Sequence, residues 1–206
     1  MELEVDPKVG NPEIMNSGIQ VVQFLAEHSD IVKDKTVNDM GTGCGIIGIA
    51  ACLSGAEKVF MEDIDLHAVA NARRNVQRLN LEKKSEVFVS DLFDSYGERP
   101  KVQVQIFNHP FFSAEPIPGK EWTRMMLGGT ELIDRYLDEA PRYSTLDAIY
   151  IMPWFVLAEN KDGTLDNDPA KRAPQHGYEI ADVVEQAPVL QGVQQAPFKI
   201  YLLRKK

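Results

Sequence analysis

Three short stretches hold residues whose types and spacing could do chemistry. The first, running from Asp39 through Gly41, Gly43 and Gly45 to Gly48, is a glycine loop between an apolar run and a helix-friendly one. Gly43, Gly45 and Gly48 satisfy the G-x-G-x-x-G spacing of a dinucleotide turn, and Asp63 stands 20 residues after Gly43, where a ribose-binding acid belongs. Asp39 argues against a phosphate. A carboxylate at that strand end would face the place where a pyrophosphate meets the helix N-terminus, forcing two negative groups together. S-adenosylmethionine carries an ammonium and a sulfonium but no phosphate, so the same acid attracts it. Gly41, Gly43 and Gly45 then serve close backbone approach. An NAD enzyme is the alternative, and calorimetry with the two cofactors separates the readings.

The second stretch is "VFVSDLFD", in which Asp91 can accept from an adenine exocyclic amine while Leu92 packs on the ring; a turn or helix cap is its plain structural alternative. Ile64, next to Asp63, and Asn108 join the same cofactor-binding set. The third is "IFNHPFF". An amide followed by proline and an aromatic, Asn108-His109-Pro110-Phe111, is an odd end for a buried strand unless a flat ligand sits there, although a turn before Pro110 would also produce it.

These stretches need a frame to position them. Helices are expected at 17–27, 45–54 and 130–140, with a longer one capped by Asp65, and strands near 36–39, 58–63, 86–90, 102–107 and 146–153. Two closing strands are expected near 179–185 and 198–203. Residues 1–35 read as a helical lead-in, and 159–178, rich in polar residues, proline and glycine, as a loop or flap. The alternation predicts an α/β fold: one doubly wound, mostly parallel seven-stranded sheet with helices on both faces, spanning 1–206 as a single domain. On such sheets ligands bind at the carboxyl ends of the strands, where every residue named above falls.

Composition narrows the classes further. With 44% apolar and 26% charged residues, the 206-residue chain is that of an ordinary globular domain. No run of eighteen apolar residues occurs, and the acidic start Met1-Glu2-Leu3-Glu4 is unlike a secretory leader, so a cytoplasmic location without membrane contact is expected. Cys44 and Cys52 read as small buried thiols, and no cluster has metal-ligand spacing, so no metal is expected. A net charge of −9 repels phosphate backbones on average.

At these residues the chain resembles the class I S-adenosylmethionine-dependent methyltransferases, and among them the N-methyltransferases whose fourth strand ends in N-P-P-[F/Y]. From Val37 to Met152 it is similar to the release-factor glutamine N-methyltransferase (HemK-like) family, including "DIDLHAVANARRN", "SDLF" and "LGGTELIDRYLDEAPRY". The stretch "SGAEKVFMEDIDLHAVANARRNVQRLN" also resembles ribosomal-protein lysine methyltransferases, which lack the Asn-Pro tetrapeptide. The resemblance implies S-adenosylmethionine as cofactor, with its ribose on Asp63, its adenine amine on Asp91 and its methionine end over the glycines, near Asp39. It implies that the Asn108 side-chain oxygen and the His109 carbonyl accept from the target nitrogen, that Phe111 packs flat on the acceptor, and that the lone pair attacks the methyl in line.

Two departures stand out. His109 replaces the first proline, removing the stiffness of a Pro-Pro pair and adding an imidazole that could titrate near neutral pH; its ring is expected to point away, with a catalytic base as the alternative. Only 35 residues precede the first strand, too few for a helical substrate-recognition domain, so docking specificity is assigned to an accessory subunit or to the loops at 112–128 and 159–178. The implied acceptor is a protein side-chain nitrogen such as a glutamine amide. An exocyclic base amine of RNA and a cofactor-binding protein without transfer activity are the alternatives. Trp122, Met125 and Met126 could form a lid or cover the sheet edge; Trp154 and Phe155 read as core. His28, His67 and His176 have no assignable partner, and the oligomeric state is open.

Overall fold

Apolar runs alternating with helix-forming stretches give a sheet in the computed structural model, which describes residues 2–112, 117, 126–155, 167–186 and 198–206. The strands are β1 (Thr36–Met40), β2 (Lys58–Asp63), β3 (Ser85–Val89), β4 (Val102–Phe107), β5 (Ser144–Phe155), β6 (Tyr178–Gln186) and β7 (Phe198–Lys205). They lie in the order β3-β2-β1-β4-β5-β7-β6; every pairing from β3 to β5 is parallel, and β7 is antiparallel to both β5 and β6. The strand order reverses between β1 and β4, and the carboxyl ends of those two strands open the crevice that such a reversal creates.

The helices are α1 (Pro12–Met15), α2 (Ser17–Glu27), α3 (Ile46–Leu53), α4 (Leu66–Arg78), α5 (Gly129–Glu139) and α6 (Pro169–Arg172). α4 starts at Asp65, whose side chain accepts from the His67 amide at 2.8 Å, and buries Ala68, Val69, Ala72 and Val76 on one face. α3 is apolar all round because it is covered on nearly every side: Ile47, Ile49, Ala50, Ala51 and Cys52 are all buried. Both cysteines are free and buried. Residues 167–177, inside the stretch expected as a loop or flap, form α6 and a 3-10 turn (Ala173–His176); residues 156–166 fall outside the described residues, as do Trp122 and Met125.

Packing requires the glycine at position 48. A Cβ on Gly48 would stand 2.7 Å from Met61 Cε and Cγ and 2.9 Å from its Sδ, in a side chain with no exposure at all. Gly48→Ala is therefore expected to destabilise the fold by about 1–3 kcal/mol through overpacking. A lowered urea midpoint with an unchanged slope would register it; an unchanged midpoint would show that Met61 can move aside.

The lead-in is more than helices. Asn71 and Asn75, one turn apart on α4, hold the extended residues before α1: their Oδ1 atoms accept from the Asp6 and Glu4 amides at 2.8 and 2.9 Å, and both Nδ2 atoms donate to the Glu4 carbonyl at 2.8 Å. Among the described residues no helix is long and apolar enough to cross a membrane.

Candidate functional site

A cavity of about 1210 Å³ opens at the carboxyl ends of β1 to β4. It is bounded by the glycine loop, by Asp63 to Ala68, by Ser90 to Leu92, by Phe107 to Phe112 and by the N-terminal half of α5. Residues 7–12 close one side; that wall comes from the segment pinned by Asn71 and Asn75 and was not legible as a site element.

The loop turns by way of Gly41, Gly43 and Gly45, with φ of 67°, 56° and 88°. Gly41 and Gly43 line the cavity; a Cβ on Gly43 would meet nothing within 4 Å. Gly45 does not line it. It caps α3 and packs on α4, where an added Cβ would stand 3.2 Å from that of Ala72. Asp39 takes the loop-bracing place rather than a cofactor-facing one: it is 1% exposed, outside the cavity wall, and its Oδ2 accepts from Thr42 Oγ1 at 2.6 Å and from the Gly48 amide at 2.8 Å. It braces the loop from beneath. Burial, only partly offset by these two donors, raises its pKa to about 7.

Among the carboxylates that line the cavity, Asp63 also anchors the loop: its Oδ2 accepts from the Gly43 amide at 2.9 Å and its Oδ1 from the Asp65 amide at 2.9 Å. Burial raises its pKa. In a phosphate-cradling turn the Gly43 N–H would be free for an anion. Here it is spent on a carboxylate, so the turn is built against a pyrophosphate.

Asp91 and Leu92 lie together on the wall, Asp91 paired with Arg135 at 3.4 Å. Leu92 has φ 45°, a left-handed conformation that a branched residue adopts only under constraint. Ile64 is 52% exposed at the rim, where an apolar side chain can cover a flat ring.

Asn108 stands at the end of β4. Its Nδ2 donates to Ser17 Oγ at 3.0 Å, while its Oδ1 is buried with no hydrogen-bond partner among the described residues. A buried amide oxygen left unpaired costs about 1–3 kcal/mol and marks a place for a donor. Ser17, 91 positions earlier in the chain, holds the nitrogen end of the amide, and nothing local in the sequence points to it. Phe111 is buried beside the cavity, edge-on to Trp154 at 5.4 Å. The His109 ring turns into the body of the protein, 2% exposed, and burial drives its pKa down to about 4. Of the remaining histidines, His176 bridges Asp134 and Asp138 on α5, at 2.9 and 2.7 Å. Among the described residues no group of three or more His, Cys, Asp or Glu could hold a metal ion.

These residues fit S-adenosylmethionine: a large cavity, a glycine turn whose amide is withheld from anions, acids on the wall and an exposed apolar rim. Residues 20–109 match the family model described as ribosomal protein L11 methyltransferase. The chain is 36% identical over 142 residues to a ribosomal protein L11 methyltransferase of Psychrobacter arcticus, covering 66% of this chain and 44% of that one. It is 31% identical over 141 residues to a Methanocaldococcus jannaschii protein named as a candidate protein N5-glutamine methyltransferase, covering 65% of this chain and 68% of that one. In fold it is similar to the crystal structure of a candidate RNA methyltransferase from Pyrococcus horikoshii, with a TM-score of 0.66, 19% identity and coverage of 99% and 93%. By its fold, its glycine turn and these relatives, the chain belongs to the class I methyltransferases, whose cofactor is S-adenosylmethionine.

Proposed function

We propose that the protein transfers a methyl group from S-adenosylmethionine to a nitrogen of a protein side chain, with a glutamine amide as first candidate. The observation that carries this reading is the Asn108 amide, in a residue that lines the cavity: it spends its nitrogen on Ser17 and keeps its oxygen buried and unpaired among the described residues. When bound, the cofactor supplies an electrophilic methyl on a sulfonium. The chain's own residues do the rest. Asn108 Oδ1 and the His109 carbonyl accept from the acceptor N–H groups and hold its lone pair toward the methyl. Phe111 packs on the planar acceptor, and desolvation with alignment supplies the rate. Asp63 holds the ribose hydroxyls, Asp91 the adenine amine with Leu92 and Ile64 on the ring, and Gly41 and Gly43 admit the methionine end. Asp39 and Gly45 support the loop without touching the cofactor. The neutral His109 leaves no imidazolium to act as an acid.

Charge supports a protein over RNA as acceptor. Asp63, Asp65, Asp91 and Glu131 face the cavity against Lys8 and Arg135, and Arg135 is paired with Asp91 and with Glu139. A phosphate backbone would meet a negative wall. The names of the two sequence relatives also point to protein acceptors. The whole chain, as one domain, carries cofactor and acceptor sites alike, and an accessory protein is the proposed source of docking specificity.

The test is transfer of tritiated methyl into cell extract. Label is expected in protease-sensitive, ribonuclease-resistant material, and acid hydrolysis should release it as volatile methylamine, as an N-methyl amide must and a methylated lysine cannot. Ribonuclease-sensitive label would replace this reading by base methylation, and cofactor binding without any label would replace it by a binding protein.

A further inference from the structure

We infer that Asn167, beside the start of α6, is the positioning residue of the Asn108–Phe111 turn, and that together with the His109 ring it supplies the stiffness a second proline would otherwise give. The inference rests on the proposed role of that turn in holding the acceptor nitrogen.

Proline restrains its backbone with its own ring; histidine at the same place leaves φ free and must be restrained from outside. That outside restraint is present on three sides. The imidazole stacks on Trp154 with centroids 5.9 Å apart and planes 6° from parallel, and Phe111 meets it edge-on at 5.4 Å and 79°. Its Nε2–H donates to the Asn167 carbonyl at 2.9 Å, which fixes the neutral Nε2–H tautomer. The Asn167 side chain completes the clamp: its Nδ2 donates to the Pro110 carbonyl at 3.1 Å and to the Phe112 carbonyl at 3.4 Å.

One residue, 1% exposed, thus grips His109 and Pro110 within the stretch and Phe112 just after it. The grip is anchored at its far end. Asp168 caps α6 by accepting from the Ala170 amide at 2.8 Å, Arg172 pairs with Asp134, and His176 bridges Asp134 and Asp138, so α6 is tied to α5. α5 in turn abuts the tetrapeptide, for the Gly128 amide donates to the Phe112 carbonyl at 3.2 Å and a Cβ on Gly128 would lie 2.9 Å from Pro110 Cβ. With the carbonyls of residues 110 and 112 taken by Asn167, the turn cannot relax into the conformations that a lone proline would leave open.

The test compares wild type, Asn167→Ala, His109→Pro and the double variant, all assayed with tritiated S-adenosylmethionine and protein extract well below their melting temperatures. Asn167→Ala is expected to lower the rate at saturating cofactor about tenfold, as misalignment of an acceptor does, with cofactor affinity from calorimetry unchanged. In the His109→Pro background the same substitution should cost under about threefold, because the proline carries the restraint. A merely structural role would lower melting temperature alike in both backgrounds without this dependence. Equal rate losses in both backgrounds, or no loss in either, would overturn the inference. Asn108→Ala, run alongside, separates the two levels: if it retains transfer, or if wild type labels nothing, the acceptor-holding role falls and the clamp's role with it. If Asn108→Ala abolishes transfer while Asn167→Ala shows no background dependence, only the clamp falls.

Discussion

Asn108→Ala is expected to lower the single-turnover rate of methyl transfer by about a hundred- to a thousandfold, the range seen when one preorganised polar contact to the reacting centre is removed. An amide nitrogen is a poor nucleophile because its lone pair is delocalised into the carbonyl. It must be held so that the lone pair meets the methyl, and two acceptors on its N–H groups do this only if both are fixed beforehand. Ser17 holds one of them: the bond from Nδ2 to Ser17 Oγ at 3.0 Å turns Oδ1 away from that hydroxyl. Cofactor affinity should change by less than about threefold, since the lost contact is made in the transition state and not to the cofactor's fixed parts. Asn108→Asp keeps an acceptor oxygen of the same size, and the Ser17 hydroxyl can donate to it, so its rate should fall between alanine and wild type. Single-turnover transfer with saturating enzyme reads all three proteins, and an alanine variant within about fivefold of wild type would end the assignment.

How far this site was legible in the sequence depended on the range of the interactions that build it. Lys58–Asp63 and Val102–Phe107 came out at their observed limits because each carries a compact cluster of β-branched and aromatic residues. The glycine turn and Asp63 were readable because local spacing sets their geometry. Direction was not. Spacing places Asp39 beside the loop, but whether its carboxyl faces the cavity or the Gly48 amide depends on where α3 lies, and the structure puts it beneath. The electrostatic argument for a cationic cofactor therefore passes from Asp39 to Asp63, whose grip on the Gly43 amide is the stronger exclusion of phosphate. Long-range partners left no local trace: Ser17 on Asn108, Asn167 on Pro110, and the Asn71–Asn75 pair, which on α4 alone would read as a solvated face. One signal was present and unused. The polar residues Asn38, Glu62 and Gln105 sit in central strands that should be uniformly apolar, and such breaks in a buried pattern point to a network.

That network is the basis of the second large effect. Asn38 Nδ2 donates to Glu62 Oε1 at 2.8 Å and to Gln105 Oε1 at 3.0 Å, and Gln105 Nε2 donates to Ser144 Oγ at 3.0 Å, making a polar line from β2 to β5. Glu62 has no exposure, and burial, only partly countered by the Asn38 donor, raises its pKa to about 8. The unfolded carboxyl titrates near its ordinary value of 4.5, so over the window from there to about 8 the folded protein holds a proton that the unfolded chain has released. Stability from this group is therefore greatest below the window and is lost as pH rises through it. Glutamine resembles the protonated acid, with one acceptor oxygen for Asn38 and an amide nitrogen with two N–H donors where the hydroxyl stood, but does not titrate. Glu62→Gln should match wild type near pH 4.5 and exceed it near pH 8.5 by on the order of 4 kcal/mol, the linkage value of the shift. His109 and Asp39 titrate in both proteins, so their contributions largely cancel in the difference. Urea unfolding of the pair at several pH values measures it directly. A stability difference that stays flat from pH 4.5 to 8.5 would mean that Glu62 ionises in the folded protein as readily as in the open chain, and that Asn38 is paired with a carboxylate rather than with an acid.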